Sequence, residues 1–252
     1  MRGRALRTLL ICCGSLAACS PQSTVEHEDG GALKAVDTGA RNESEGGPLP
    51  SCAAIAGAAP QTIADVVARI DQLPVPSIPC LVASLPRPLA LVASISPVSA
   101  QPSTGPDNPR IFILNDTLTL SVLPAGPGQD VLELGERVTP LRSLKAELHF
   151  PIERPVPASK PYEGLAEEGQ TFSVCGSCHG DEQAHATIPG AFVSNMLRPA
   201  RYADSDIADV SALRAACDDR DGEAPQCEML RALFDYGQVR QGVFEPAVEV
   251  GY

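Results

Sequence analysis

Two stretches of this chain alternate apolar and polar residues at every step, and that pattern constrains the fold more than any other feature. Leu118, Leu120 and Val122 alternate with Thr119 and Ser121, and Leu144, Ala146, Leu148 and Phe150 alternate with Lys145, Glu147 and His149. A period of two sends successive side chains to opposite faces, so these stretches read as half-buried antiparallel strands with one apolar face to cover. Leu89–Ser94, Ile111–Leu114 and Val131–Leu134 are further short runs of strand character. Asn115-Asp116 is a hairpin candidate and Pro124 to Gly128 marks a second turn. Thr62 and Asp65 form a capping pattern ahead of Ile63, Val66, Val67, Ile70 and Leu73, which recur at helical spacing until Pro74. The expectation for residues 51–152 is an antiparallel β-sandwich or partial barrel with one helix against it; about 100 residues suffice for such a unit.

Four prolines fall between Pro151 and Pro161, so residues 153–163 read as a semi-rigid connector and a domain boundary. Beyond it, 164–252 is helical in pattern. Ser205-Asp206 can cap a helix carrying Ile207, Val210 and Leu213, and Pro225 can open another that carries Leu230, Leu233 and Phe234 and stops at Gly237. The class expected is α+β, with a β-rich unit followed by a small helical one.

The N-terminus carries Arg2, Arg4 and Arg7, a short apolar run from Thr8 to Leu16, and then Leu16-Ala17-Ala18-Cys19. This is the layout of a secretory signal, too short to span a membrane. The L-A-A-C ending resembles the lipobox of bacterial lipoproteins. That resemblance implies a signal peptide over 1–18, lipid on Cys19, and anchoring to the envelope, with Ser20 implying the outer membrane and a chain facing the periplasm. Residues 19–50 are polar, without hydrophobic period, and read as a flexible tether.

Removing 1–18 takes three of the 19 basic residues and none of the 31 acids, leaving a net charge of −15. Such a balance excludes nucleic acid as a partner and favours a protein partner with a basic surface. Of nine cysteines, Cys12 and Cys13 leave with the signal and Cys19 takes lipid, so six remain. In an oxidising compartment an even set implies bridges, and chain order suggests Cys52–Cys80 and Cys217–Cys227. Asp218 to Glu223, inside the second ring, reads as a solvated acidic loop rather than a calcium loop.

Cys175-Gly-Ser-Cys178-His179 is the motif left over. Two thiols separated by two residues can meet the two vinyl groups of haem while the next imidazole meets the iron. With nine cysteines and four histidines in 252 residues, a chance match is rare. Other uses of the same residues are a structural disulfide, a redox pair, and a four-thiolate zinc site with Cys217 and Cys227.

Gly169-Gln-Thr-Phe172-Ser-Val-Cys175-Gly-Ser-Cys178-His179-Gly180 resembles the opening of small c-type cytochromes. The resemblance is local, covering about residues 164–210, and leaves 51–152 without a likeness. It implies a cytochrome c-like C-terminal domain with one covalent haem c. In that domain Cys175 and Cys178 would be the thioether positions, His179 the proximal iron ligand, and Phe172 a neighbour of the haem edge. For the sixth ligand, Met196, His185 and Met229 stand open, as does an iron without one. The function implied is one-electron transfer or haem-based sensing, an electron carrier rather than a catalyst. The alternative is a non-catalytic envelope lipoprotein whose cysteines are all structural and which binds a protein or acts as a scaffold. No phosphate loop or GxSxG occurs, and four histidines leave little for a catalytic triad.

Overall fold

The structure, a computed structural model, describes residues 49–166, 170–219 and 224–251. The signal peptide, Cys19 and all but the last residues of the tether lie outside that range, as do 220–223 of the acidic loop. Among the described residues no helix is long and apolar enough to cross a membrane.

In chain order the elements begin with α1 (Leu49–Ala53), α2 (Ile63–Gln72) and α3 (Ile78–Ser84), then β1 (Leu89–Ser94), β2 (Arg110–Leu114), β3 (Leu118–Val122), β4 (Val131–Thr139) and β5 (Arg142–His149). After the connector come α4 (Gly176–His179), β6 (Gln183–Ala184), β7 (Phe192–Asn195), β8 (Leu197–Arg198), β9 (Asp204–Ser205), α5 (Ile207–Ala215), α6 (Pro225–Phe234), β10 (Val239–Gln241) and β11 (Glu249–Val250). The protein is thus a mixed α+β fold built on one large, mostly antiparallel sheet, in the order β10-β1-β2-β3-β4-β5-β7-β6, with β9 beside β1.

The alternation of the sequence becomes the two faces of this sheet. Leu91, Ile113, Leu120, Leu134 and Ala146 are register partners across five strands, and all are buried. They share one hydrophobic core with Ile63, Val66 and Ile70 of α2, Leu81 and Val82 of α3, Val210 of α5 and Leu230 and Leu233 of α6. The layer expected to be a second sheet is therefore helical. Helix α3 carries much of this difference. Six of its seven residues are buried and Pro79 lies in its first turn, so it shows no amphipathic period and reads from sequence as a proline-punctuated loop.

On the other face the partners Phe112, Ser121, Glu133 and Glu147 form a mostly polar row across β2 to β5. The C-terminal third crosses back over this sheet. Strand β7 pairs antiparallel with β5, and β10 and β9 share the free edge of β1. Two cores divided at 153–163 are not what forms. The connector packs onto α2, with Ile152, Val156 and Tyr162 buried, the Val156 N–H donating to Asp71 Oδ1 at 2.9 Å and the Arg154 guanidinium donating to the Leu73 carbonyl. Proline removes backbone donors that would otherwise need partners in such a buried path, so a Pro-rich stretch with apolar residues between its prolines can be core as well as spacer.

Cys52 is bonded to Cys80, 28 residues on, and Cys217 to Cys227, ten residues on. These are the two pairs that chain order suggests. Cys52 and Cys80 are fully buried and tie α1 to α3. Chain entropy alone gives a ring of that length about 3 to 4 kcal/mol. Replacing both by alanine is expected to remove stability of that order, read as a lower urea midpoint at an unchanged m-value. At the start of α2, Thr62 Oγ1 accepts from the Asp65 N–H at 3.1 Å and Asp65 Oδ2 accepts from the Thr62 N–H at 3.0 Å. Thr62→Ala is expected to cost about 1 kcal/mol. The Asp65 carboxyl is held below its ordinary value of 3.8, chiefly by the Gln61 N–H. Its contribution is therefore complete above pH 3.8 and is lost as pH falls through the lowered value; Asp65→Asn should flatten the acid limb of the stability profile.

Candidate functional site

The polar face of the sheet is roofed by the segment that carries Cys175 and Cys178, the two free cysteines among the described residues. Ser173 is buried and clamped by Glu182, whose carboxylate accepts from the Ser173 N–H at 2.5 Å and from its Oγ–H at 2.6 Å. The Val174 N–H donates to the Leu165 carbonyl at 2.8 Å, and the Cys175 N–H to Ser173 Oγ at 3.1 Å. One helical turn follows: the N–H groups of Cys178 and His179 both reach the Cys175 carbonyl, at 3.1 and 2.9 Å. This turn sets Cys175, Cys178 and His179 on adjacent positions of one surface. Gly180, at φ 61°, and Asp181, at φ 45°, then turn the chain into β6.

All three side chains line one cleft between this turn, the sheet and the 94–100 loop. The cleft holds about 200 Å³ and opens to solvent, so a ligand larger than the roughly 300 Å³ at the low end of small-molecule sites would project from its mouth. Val98, Phe112, Val174, Leu197 and Pro199 give it apolar walls, and Arg110, Glu133, Lys145, Glu147 and Arg198 bring charge to it.

His179 is fixed by the neighbouring strand. Its Nδ1 lies 2.8 Å from the Asn195 carbonyl oxygen and 3.2 Å from Lys145 Nζ. A carbonyl only accepts and an ammonium only donates, so the shorter contact assigns the proton to Nδ1, donated to Asn195 with the lone pair left on Nε2, and Lys145 stands beside the ring as a charge and not as its donor. Lys145 donates to the same carbonyl at 3.1 Å and to Ser143 Oγ at 2.8 Å. Burial first, and the Lys145 charge second, push the imidazole down to about 4, so it is neutral at pH 7. Burial likewise lowers Lys145 to about 8 and raises the Cys175 thiol to about 11. A neutral imidazole with its Nδ1–H tied to a carbonyl is the state in which histidine binds a metal.

The floor of the cleft is an ion-pair cluster. The Arg110 guanidinium meets Glu133 Oε2, Ser99 Oγ and, at 2.6 Å, Ser121 Oγ, and it lies 4.7 Å from the centroid of the Phe112 ring. Burial pushes the Glu133 carboxyl up against the pull of Arg110. Glu133 Oε1 is buried with no hydrogen-bond partner in the protein.

The structure brings Cys175, Cys178 and His179 together and leaves the other ligand candidates elsewhere. Met196 lines a separate, smaller pocket with Arg137, Val243 and Phe244. His185 Nδ1 accepts from the N–H groups of Thr187 and Ile188 at 3.3 and 3.2 Å, capping its own turn. Met229 is buried in the core on α6. Phe172 is 56% exposed and is not among the residues lining the cleft. The four-thiolate zinc site does not form, because Cys217 and Cys227 are bonded to each other. Among the described residues no three His, Cys, Asp or Glu side chains converge to hold a metal ion, so His179 stands as a single candidate ligand. Arg110, Glu133, Lys145 and Glu147 escape a sequence reading because each is an ordinary polar position of an alternating strand; only the returning C-terminal segment makes that face interior.

In reduced, cofactor-free protein, burial and the raised thiol of Cys175 should make it react with iodoacetamide well after the exposed Cys178. Peptide mass mapping over a time course checks the order, and equal rates would mean that the roof of the cleft is not closed over Cys175. No protein-family model, curated protein or solved structure matches the chain, so the chemistry of the cleft is read from its own residues.

Proposed function

We propose that the cleft holds one haem c, joined through thioethers to Cys175 and Cys178 with His179 as the proximal iron ligand, and that the protein carries single electrons. The observation that carries this reading is the bond from His179 Nδ1 to the Asn195 carbonyl, which would leave a bare Nε2 for the iron within a C-x-x-C-H turn. The residues fit the group in three further respects. Both thiols are free and line the same cleft as the imidazole. The apolar walls would suit a porphyrin, and Arg110 and Arg198 would offer positive charge for its two carboxylates. When bound, the haem supplies a one-electron iron couple whose potential depends on axial ligand, burial and nearby charge.

The chain's own part is to hold and insulate. Cys175 and Cys178 would hold the ring covalently, the Asn195 carbonyl sets the imidazole tautomer, and the sheet floor would keep bulk water from one side. None of Met196, His185 and Met229 lines the cleft, so among the described residues His179 is the one of these candidates that would hold the iron. On this reading a cytochrome c-like function would belong to an α+β sheet and not to a separate helical domain. Lipid on Cys19 would hold the protein at the envelope, facing the periplasm, and its net negative charge would steer it toward a basic redox partner in a salt-dependent way.

The alternative, an envelope lipoprotein with purely structural cysteines, draws support from the Cys52–Cys80 and Cys217–Cys227 bridges. Expression with haem-attachment machinery separates the two. The expected result is a c-type pyridine haemochrome spectrum and a mass increase of one haem, lost in Cys175→Ala/Cys178→Ala. His179→Ala should attach less haem and show an altered ferrous spectrum. A wild-type protein that leaves the same cells without haem and with a Cys175–Cys178 bridge establishes the alternative.

A further inference from the structure

We propose that Lys145 is a positioning residue that raises the electron affinity of the iron site at His179, by holding a buried positive charge beside the imidazole and sharing its hydrogen-bond acceptor. This rests on the haem reading above. Lys145 lies on β5 opposite Phe192 of β7, and the residue is 7% exposed. Its ammonium has three fixed neighbours, Ser143 Oγ at 2.8 Å, the Asn195 carbonyl at 3.1 Å and His179 Nδ1 at 3.2 Å.

Two physical effects follow from that placement, and they have the same sign. The Asn195 carbonyl accepts from both Lys145 and the His179 Nδ1–H, so it is a weaker acceptor for the imidazole proton than it would be alone. A less strongly drawn Nδ1 proton leaves the imidazole a poorer electron donor through Nε2. Independently, a fixed cation in a water-poor site disfavours the state in which the bound metal carries one more positive charge. Both favour the reduced form. A burial that costs an ammonium its hydration, in a strand position where an apolar residue would suffice, is the kind of arrangement found where charge has a task. Ser143 is the anchor that keeps the ammonium at this point, since it lies two residues away on the same strand face.

The test compares wild type, Lys145→Met and Lys145→Arg by spectroelectrochemical titration, with haem content measured in parallel. Lys145→Met with haem attached is expected to have a more negative midpoint potential, and Lys145→Arg, which keeps the charge, to stay near wild type. A Lys145→Met protein carrying haem at the wild-type potential overturns the proposal. Nitrogen-15 NMR of haem-free wild-type protein supplies a second readout that needs no variant to fold. A protonated Nδ1 and bare Nε2 on His179 sustain the shared acceptor, whereas a bare Nδ1 accepting from Lys145 overturns it. Should wild type attach no haem at all, the haem reading fails, and the NMR result still decides whether Lys145 and His179 share Asn195.

Discussion

The pairing of β5 with β7 is the constraint on which the cleft depends. It is a short antiparallel ladder, Arg142 to Lys145 against Asn195 to Phe192, yet it joins segments some fifty residues apart. Its register decides that the Asn195 carbonyl meets both His179 and Lys145, and that Lys145 emerges on the polar face. Because side chains alternate faces with a period of two, a slip of one residue would send Lys145 into the helical core and Leu144 into the cleft. The burial of Leu144 against that core, and of Ser143 and Ser194 opposite each other, opposes the slip. The site is thus set by strand register, and the C-x-x-C-H turn is laid onto it.

Much of the scaffold was legible because local pattern and tertiary role agree there. The five strands from Leu89 to His149 follow their apolar spacing to within a few residues, and Thr62, Asp206 and Pro225 open the helices they signal. Three things were not legible, for three reasons. Helix α3 is buried nearly all round and so has no period to detect. Strands β6, β7 and β10 have two to four residues, too short to show alternation, and they exist because longer strands offer them an edge. The connector reads as a boundary because prolines dominate its composition, and nothing local marks Val156 and Tyr162 as buried. The site divides in the same way. Attachment chemistry needs close spacing along the chain, which a motif records, whereas the charged floor and the partner of His179 come from strands distant in sequence.

The six described cysteines occupy three settings that keep their chemistry apart. One pair is sealed in the core, a second closes a ten-residue ring at the start of α6, and the third lies at the cleft with one thiol exposed. Burial of the first two couples in the folded protein removes them from exchange with the third, since exchange requires a thiolate to reach a disulfide sulfur. An oxidising compartment can therefore staple the fold and still leave Cys175 and Cys178 available.

Glycine at 176 has a consequence of another kind. A Cβ there would stand 2.7 Å from Glu182 Oε1, the same carboxylate that clamps Ser173 ahead of the first cysteine. The first of the two residues between the cysteines, which attachment chemistry itself leaves free, is here tied to an acid six positions downstream. Positions 176 and 182 should then vary together across descendants of this chain: glycine wherever the acid clamp is kept, and a larger residue only where position 182 has become small or the loop has found another hold on Ser173.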